Sequence, residues 1–428
     1  MPLSPQPRSK TYASPAIYRR IAAEMLTGRA YNGEGDLARL ERAFAELQQT
    51  DFALCLPQGR IGIYLALRAL VRPGKAVILS PYTIYDVVNM VLAAGAVPLF
   101  ADVDPLTGNL DPDAVRAALT TDTGAVLATH IHGLSCEIEE IQRICENAGV
   151  ALIEDCAQCL GGTIGGRPVG SFGDVGIFSF SRAKNVNTIF GGMAVTRDRA
   201  LHRQMASDLA VFEPEDLSRL VKRTGTTLLN DALSGPIVFE ALVFPLVRLD
   251  ARKEAGIVDR LTGAEKRIEM RRSLPPHYQR RMTPMQARLA LMQLPDIECH
   301  QMRRLTHARR YKDGLSPIGN LQLPPWNEDG RHTYLSFPVQ TANRGALVRH
   351  LLDSGRDVRP QYYRNLAAAP EFGAFRRDCP NASRVAARTI LLPIYPDYTE
   401  AEIDKTIEAI RSFGDFRVGE PELQTEPD

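Results

Sequence analysis

The chain has 428 residues, and its 51 Lys and Arg against 50 Asp and Glu give a formal net charge of +1. This balance gives no electrostatic reason to expect nucleic acid as a partner. The hydrophobic fraction of 44% and the charged fraction of 24% are typical of a soluble globular protein. The length predicts two domains or one large α/β domain.

The N-terminal sequence MPLSPQPRSKTY is polar and rich in proline, so we expect no signal peptide. No apolar run reaches the roughly 18 residues that a membrane-spanning helix needs. Seven cysteines, an odd number, predict reduced thiols in a cytoplasmic protein. Cys156 and Cys159 form a C-x-x-C pair, but the pair ends an apolar run instead of opening a helix, which disfavours a redox role.

From about residue 50 to 200, short apolar runs alternate with amphipathic stretches. Gly, Pro and Asp bound the apolar runs, which predict buried strands at 76–81, 96–103, 124–133 and 150–157. The stretches between them have helical spacing, at 84–95, 112–120 and 137–149. This alternation predicts a mostly parallel sheet sandwiched by helices, an α/β fold. Ligands of such sheets bind beyond the carboxyl ends of the strands.

The second half of the chain differs in pattern. Residues 205–281 show no strand period, and their later part is rich in Arg and Lys. From residue 282, an amphipathic helix and a few short elements predict a smaller α+β domain. We therefore predict a large domain over 1–250, a basic insert or linker over 251–281, and a small C-terminal domain over 282–428.

Lys184 follows an apolar run that predicts a buried strand. Burial lowers the pKa of a lysine, and a neutral amine can form a Schiff base with an aldehyde. Most lysines are solvated surface charges, so this position alone is weak evidence. A covalent role for Lys184 is supported only if other residues of a cofactor site are also present.

Two such groups are present. Asp155 closes an apolar strand, where a carboxylate needs a cationic partner such as a protonated pyridine nitrogen, although it could also cap the next turn. Gln158 is placed to hold that carboxylate. The turn at Gly59 runs directly into a helix, whose free amides favour phosphate, and Arg60 adds a charged donor there. Together with Lys184, these features predict a pyridoxal 5'-phosphate site.

At this point the chain resembles the DegT/DnrJ/StrS family of pyridoxal-phosphate-dependent sugar aminotransferases. The resemblance extends over nearly all of the sequence and rests on several blocks in the family's order. They include GEGDLARLERAFAEL, THIHG, LIEDCAQCLGG, VGSFGDVGIFSFSRAKN, RMTPMQARLALMQL and LLPIYPDYTEAEIDKTIEAI. The resemblance implies a fold-type I aminotransferase whose large domain binds the cofactor, and a homodimer in which each active site is completed by the neighbouring subunit.

The resemblance also implies roles for individual residues. Lys184 would bind the cofactor covalently, Asp155 would pair with the ring nitrogen with Gln158 beside it, and Ser179 would bind the phosphate. The phosphate turn departs from the family pattern, because it reads Gly59-Arg60-Ile61 where Gly-Thr-Ala is usual. We nevertheless predict that these three residues bind the cofactor, with Arg60 replacing the threonine hydroxyl.

Other positions also depart from the pattern. The aromatic residue that stacks on the cofactor ring is predicted as Tyr85, with Ile84 as the alternative. Gln279 occupies the position of an Asn that reaches the phosphate of the other subunit. Ile189 and Phe190 replace a Gly-Glu pair beside the substrate, which makes the nucleotide-linked sugar less secure as the substrate. No metal site is predicted.

We therefore expect an aminotransferase that moves an amino group from glutamate or glutamine to a keto-sugar, the latter nucleotide-linked. One alternative is a non-sugar or lipid-linked ketone as acceptor, prompted by Ile189 and Phe190. Another is a regulatory pseudoenzyme of the family, which an intact Lys184 opposes. A dehydratase, as some relatives are, would be expected to lack this lysine.

The apolar and basic stretch within 205–281 has two interpretations. It could contact a membrane surface, where its cations would meet anionic headgroups or a lipid-linked phosphate. It could instead form extra dimer interface or a lid packed on the core. We favour the second interpretation from sequence, because interior helices are commonly this apolar.

Overall fold

The computed structural model describes residues 5–10, 14–33, 35–253, 268–414 and 416. The large sheet consists of β1 (Phe52–Leu56), β2 (Ala76–Leu79), β3 (Val97–Phe100), β4 (Thr123–Thr129), β5 (Ala151–Asp155), β6 (Val175–Ser179) and β7 (Gly192–Thr196). Its strand order is β1-β7-β6-β5-β4-β2-β3. Strand β7 is antiparallel to both neighbours, and all other neighbouring pairs are parallel. The predicted mostly parallel sheet is confirmed.

Helices cover both faces of this sheet. Those of the first half are α1 (Pro15–Leu26), α2 (Asp36–Leu47), α3 (Gly59–Leu70), α4 (Tyr85–Ala93), α5 (Pro112–Ala118), α6 (Ile138–Ala148) and α7 (Arg199–Ala210). One apolar layer joins the sheet to α3, α4 and α7, and a second joins it to α2, α5 and α6. The sheet is therefore buried on both faces, which explains why its strands read as continuous apolar runs.

Helix α3 lies unusually close to the sheet because of Gly62. A Cβ at this position would lie 2.6 Å from Cδ1 of Leu56 and 2.9 Å from Cδ1 of Ile177. Only glycine permits this approach without movement of its neighbours. The close packing fixes the first turn of α3 at the carboxyl edge of the sheet.

The later helices are α8 (Leu217–Leu233), α9 (Phe244–Lys253), α10 (Pro284–Leu291), α11 (Ile297–Leu315), α12 (Arg344–Asp353), α13 (Pro380–Arg388) and α14 (Glu400–Arg411). A small antiparallel sheet follows the order β8-β10-β9, where β8 is Phe337–Gln340, β9 is Arg359–Pro360 and β10 is Thr389–Leu392. This sheet packs with α11, α12 and α14 around a separate apolar core. The smaller α+β domain thus has its own core.

The expected boundary at residue 282 differs from the packing. Met282 and Ala287 belong to the apolar core of the large domain, whereas the small-domain core takes in Ala308 and later residues, together with Phe239 and Phe244. Helix α11 carries the chain from one core to the other. Of the predicted basic insert, residues 254–267 lie outside the described part of the chain.

The two domains are joined by backbone hydrogen bonds at the end of β4. The carbonyl oxygen of Gly133 accepts from the amides of Thr333 (2.7 Å) and Tyr334 (3.2 Å), and that of His132 accepts from Ser336 (3.2 Å). Gly133 has a φ of +79°, and a Cβ there would lie 2.4 Å from the amide nitrogen of Leu335. This junction therefore requires glycine.

Candidate active site

A cavity of about 510 Å³ opens at the carboxyl edge of the large sheet, facing the small domain. The large domain contributes the turn before α3, the end of β5 and the loop that follows β6. The small domain contributes residues 391–395 and 359–363. The location is the one that the strand order of a parallel sheet predicts for a ligand.

Lys184 lies in the wall of this cavity, five residues after the end of β6. It is half-buried, and burial lowers the pKa of its amine to about 8, an effect that the nearby carboxylate of Asp155 partly offsets. Ala183, immediately before it, has a φ of +64°, which is uncommon for a residue other than glycine. A larger share of this amine is therefore neutral near pH 7 than for a surface lysine, as a nucleophile requires.

Asp155 is the last residue of β5 and is 6% exposed. Burial raises the pKa of its carboxyl group, and a hydrogen bond from the amide of Ala157 (3.1 Å) together with the charge of Lys184 opposes this rise. A buried carboxylate in a cavity wall is suited to a cationic ring nitrogen.

Gln158 makes two hydrogen bonds in the structure, and its expected role beside Asp155 stays a prediction. Its Oε1 accepts from the amide of His132 (3.2 Å), and its Nε2 donates to the hydroxyl of Tyr363 (3.2 Å). Both bonds lead away from Asp155, whose carboxylate is instead held by the backbone of the following turn. Gln158 still lines the cavity, where it fixes the position of Tyr363.

The backbone of the phosphate turn lies at the cavity as expected, but the side chain of Ile61 does not face the cavity. Gly59 lines the cavity, and a Cβ there would lie 3.1 Å from the carbonyl oxygen of Phe178, a tighter contact than most Cβ atoms make. The side chain of Ile61 is buried in the core, so only its backbone is available to a ligand. Ser179 lines the same region and donates from Oγ to Oγ of Ser181 (3.2 Å).

Arg60 already has an anionic partner. Its guanidinium pairs with the carboxylate of Asp86 and donates to the hydroxyl of Tyr278 (2.7 Å). Arg271 lies 3.6 Å from the same carboxylate. The prediction that Arg60 simply replaces a threonine hydroxyl did not anticipate Asp86, because α4 lies far from this turn in sequence.

Two further predicted positions lie outside the cavity wall. Tyr85 packs beside Arg271, whereas Ile84 lines the cavity. This placement favours the alternative, Ile84, and the identity of the stacking residue stays a prediction. The one-residue shift follows from the start of α4, which turns Tyr85 away. Gln279 is exposed and donates to the carbonyl of Leu274 (3.4 Å), while its neighbours His277 and Tyr278 line the cavity. The cross-subunit role of Gln279 stays a prediction.

His132, which could line or fill the pocket according to its position near the end of a predicted strand, belongs to an aromatic group whose other members, Tyr82 and Tyr363, the sequence did not indicate. The ring of His132 stacks on Tyr363 with centroids 6.1 Å apart, and Tyr82 meets both rings edge-on. Burial and the charge of Lys184 lower the pKa of His132 to about 3, so this imidazole is neutral. Tyr363 comes from the small domain, and no local pattern in the sequence connects it with His132.

The cavity also contains more cations than the sequence analysis identified. Apart from Lys184, the lining includes Arg60 and five others: Arg8, Lys10, Arg182, Arg223 and Arg359. Asp155 is the one acidic side chain among the described lining residues. This excess of positive charge favours an anionic ligand. We call Arg8, Lys10, Arg182 and Arg359 the cationic rim.

One wall near the rim is apolar. Phe190 lines the cavity, and the guanidinium of Arg223 lies 4.7 Å from its ring centroid. Ile189 before it is buried with a φ of +72°, a left-handed conformation that a β-branched residue rarely adopts. The family pattern has glycine at this position, so the backbone shape is retained while the wall becomes apolar.

A polar network lies beneath the site. Glu154 accepts hydrogen bonds from the amides of Gly170, Phe172 and Gly173 at 2.7 to 2.9 Å. His130 accepts at Nδ1 from the amide of Cys136, which leaves the proton on Nε2 facing Glu154 at 3.3 Å. These two groups and Cys156 have the spacing of metal ligands. Their hydrogen bonds already occupy them, so we assign the network to holding β5 in place.

The cysteine pair shows no sign of redox activity. Cys156 and Cys159 are both buried and free. Burial raises the pKa of the Cys159 thiol to about 11 and that of Cys156 further still. Such thiols are protonated at neutral pH, whereas a redox pair needs an accessible thiolate.

Comparisons with known proteins point to one family of aminotransferases. Residues 17–224 and 250–411 match the sequence pattern of the DegT/DnrJ/EryC1/StrS aminotransferase family. The spore coat polysaccharide biosynthesis protein SpsC of Bacillus subtilis is 28% identical over 87% of this chain and 88% of its own. The sugar aminotransferase CalS13 of Micromonospora echinospora has a TM-score of 0.74 at 24% identity, covering 95% and 99% of the two chains. DesI, solved with its TDP-sugar product, has a TM-score of 0.71 at 23% identity, covering 95% of this chain and 92% of its own.

Proposed function

Because the chain belongs to the DegT/DnrJ/EryC1/StrS aminotransferase family, whose enzymes use pyridoxal 5'-phosphate, we propose that it aminates a keto-sugar with glutamate or glutamine as donor. The single observation that supports this most strongly is the pairing of Lys184 with Asp155 in one cavity wall. The amine there has a pKa of about 8, and the carboxylate beside it is buried.

We assign the roles as follows. Lys184 holds the cofactor covalently and, once displaced by the donor, moves a proton at the reacting carbon of the substrate. Asp155 keeps a proton on the ring nitrogen. The chemistry that the cofactor supplies is an electron sink for the carbanion. Gly59, the backbone of Ile61 and Ser179 hold the phosphate at the first turn of α3, where amides and the helix dipole favour an anion. Ile84 packs against the ring.

We propose further that the acceptor carries phosphate. Arg8 of the cationic rim is paired with Asp357 at 2.6 Å. Lys10, Arg182 and Arg359 add three further positive side chains beyond the phosphate turn, so a second anionic group is accommodated there. A nucleotide-linked keto-sugar meets this requirement. The relation to SpsC, named for polysaccharide biosynthesis, and to DesI, solved with a TDP-sugar product, supports the same class of acceptor.

A second candidate acceptor is a lipid-linked or non-sugar ketone. Phe190, Ile63 and Ile394 make part of the cavity apolar, which suits an acceptor with fewer hydroxyl groups. A lipid-linked ketone would also place its phosphate on the rim, so it differs from a nucleotide-linked sugar in the groups on either side of that phosphate.

The test is spectroscopic. The purified protein should show a visible absorbance band from the lysine-bound cofactor, which glutamate or glutamine bleaches and a keto-sugar nucleotide restores. The Lys184→Ala variant should lose this band, while Lys405→Ala, at an exposed lysine, should keep it. A band that no amino donor bleaches would refute the amino transfer.

We also propose that the enzyme is a homodimer and works in the cytoplasm. Gln279 is exposed beside the cavity, as a residue that reaches into a neighbouring subunit must be. Six of the seven cysteines are buried and free, which suits a reducing compartment. Light scattering should give twice the chain mass of 47.3 kDa, and Gln279→Ala should weaken cofactor binding without dissociating the dimer.

A further inference from the structure

Arg223 lies in the wall of the cavity, and the roles assigned above do not use it. It is half-buried on α8, and its guanidinium lies 4.7 Å from the ring centroid of Phe190. Among the groups that the structure describes, none pairs with this guanidinium or accepts a hydrogen bond from it. Partial burial of a charge is costly unless the charge finds a partner, so an anionic ligand is the partner to look for.

Helix α8 holds Arg223 at this wall through its inner face. Leu220 is fully buried and belongs to the same apolar cluster as Ile189 and Phe190. Thr227 is buried one turn beyond Arg223. The spacing of Leu220, Arg223 and Thr227 is that of one helix face. The packing of this face therefore keeps the guanidinium at the cavity.

The other face of α8 is apolar and exposed, and contains Val221, Leu228 and Leu229. In the described part of the chain no single helix reaches the length and apolarity of a membrane span, but Leu217–Leu233 and Pro236–Ala251 do so together, with a bend of 71° between them. Arg223 lies on the inner face, so its position does not depend on what covers the outer one.

The nearest cations already have anionic partners. Arg219 lies 5.5 Å from the ring centroid of Phe190 and pairs with Glu215 at 3.2 Å. Arg60 pairs with Asp86. Burial, together with the charges of Arg219 and Arg60, lowers the pKa of Arg223, although a guanidinium stays charged at neutral pH. One positive charge is thus left without a partner at this corner of the cavity.

This corner is also where the phosphate turn lies. Phe190 is joined through Gly191 to Gly192, where a Cβ would lie 2.7 Å from the amide nitrogen of Gly59. The ring that contacts Arg223 is therefore only two residues away from the first amide of the phosphate turn. A guanidinium can donate two parallel hydrogen bonds to a phosphate group.

The cationic rim is a different group of charges. Burial raises the pKa of Asp231, and a hydrogen bond from Tyr18 together with the charges of Arg182 and Lys10 opposes this rise. Asp231 is eight residues beyond Arg223 on α8, which corresponds to about 12 Å along the helix. The rim therefore lies near the far end of α8, whereas Arg223 lies near the phosphate turn.

We propose that Arg223 binds the phosphate of the cofactor and is the cationic donor that the phosphate turn itself does not supply. Arg60 is engaged by Asp86, which leaves the backbone amides and Ser179 as the groups of the turn itself. This role rests on the phosphate position proposed above and not on the donor or acceptor of the amino transfer. The family pattern matches the chain up to residue 224 and again from 250, so Arg223 stands at the edge of a segment that the pattern leaves out.

The experiment titrates the full-length protein, freed of its cofactor, with pyridoxal 5'-phosphate and separately with pyridoxal. Pyridoxal has the same ring and aldehyde but no phosphate, and visible absorbance reports the binding of both compounds. We expect Arg223→Gln to weaken the binding of pyridoxal 5'-phosphate at least about tenfold, and that of pyridoxal less than about twofold. Arg223→Lys keeps the charge without the paired donors, so its affinity for pyridoxal 5'-phosphate should fall between the two.

The matched control is Lys222→Gln, at the neighbouring exposed lysine of α8, and it should bind both compounds as the wild type does. Unchanged affinity of Arg223→Gln for pyridoxal 5'-phosphate overturns the proposal, and so does an equal loss of affinity for both compounds, which would show a structural role. If Arg223→Gln does not fold, Arg223→Lys decides by the same comparison.

Unchanged cofactor affinity with a raised KM for glutamate or for the acceptor would also overturn the proposal, and would assign Arg223 to an anionic group of a substrate. The titration contains no amino donor. A failure of the amino transfer, seen as a band that glutamate and glutamine do not bleach, is therefore distinguishable from a failure of Arg223 to bind phosphate.

Discussion

The ion pair between Arg60 and Asp86 allows a direct test of whether Arg60 stabilises the fold or binds the cofactor phosphate. We expect Arg60→Thr, which restores the usual residue of the family, to destabilise this protein. The side chain of Asp86 is 9% exposed, and losing Arg60 leaves it with the hydroxyl of Tyr278 at 3.0 Å and Arg271 at 3.6 Å. Asp86→Ala should also lower the free energy of unfolding, whereas the double variant should recover part of the stability that the single variants lose.

The magnitude follows from the exposure of the two partners. Removing one partner of a fully buried pair costs about 3–5 kcal/mol, and an exposed pair contributes about 0–1 kcal/mol. The side chain of Arg60 is 30% exposed and Arg271 remains near Asp86, so we expect Arg60→Thr to lower the free energy of unfolding by about 1–3 kcal/mol. The coupling energy in the double-mutant cycle should be about 1–2 kcal/mol.

The assay is denaturant unfolding of all four proteins, with cofactor affinity measured by fluorescence titration. The exposed pair Lys75–Asp122 serves as the control cycle, and its coupling should stay below about 0.5 kcal/mol. Because Asp86 occupies Arg60, we expect Arg60→Thr to change cofactor affinity less than about threefold, or about 0.65 kcal/mol. Additive stability effects, or a tenfold loss of affinity without destabilisation, would show that Arg60 serves the phosphate and that our interpretation of the pair is wrong.

Three other predictions concern the packing of the site. Lys184→Met should stabilise the cofactor-free protein below about pH 8. The folded pKa of about 8 lies under the ordinary value of 10.5, so wild-type stability gains relative to the variant as pH rises from 8 to 10.5; a pH series of thermal melts checks this sign. Gly62→Ala should lower the free energy of unfolding by about 1–3 kcal/mol, because the added methyl group overpacks the core. Gly225→Ala, where a Cβ has nothing within 4 Å, should raise the free energy of unfolding by about 0.5–1 kcal/mol. Equal melting temperatures of the two variants would contradict the argument. Tyr363→Phe removes the partner of Gln158 and should raise the KM for the acceptor more than it lowers kcat, and steady-state kinetics that show the opposite would exclude a positioning role.

Site residues could be predicted from the sequence where a reactive side chain stands at the end of a recognisable strand. Asp155 and Ser179 end buried strands and Lys184 lies five residues beyond one, and parallel topology alone brings strand ends to one edge. It was less informative where a contact joins distant segments. Asp86 meets Arg60 across 26 residues and Tyr363 meets Gln158 across 205, and neither pairing has a local signature.

The choice between neighbouring residues was open for a similar reason. Tyr85 and Ile84 are both compatible with the sequence spacing, and the exact start of α4 decides which side chain lines the cavity. The exposed apolar face of α8 was also hidden in the sequence, because helical apolar residues read alike whether they face a core or solvent.

The junction at Gly133 has a consequence for how the enzyme handles its ligands. The residues after β4 and the small-domain segment 333–336 share backbone hydrogen bonds, which tie the large-domain side of the cavity to the small domain. An enzyme that closes by rotating its domains must break and remake such contacts in every cycle. We therefore expect that the reorganisation during turnover lies in side chains at the entrance and not in a rotation of the domains, because rotation would break these hydrogen bonds.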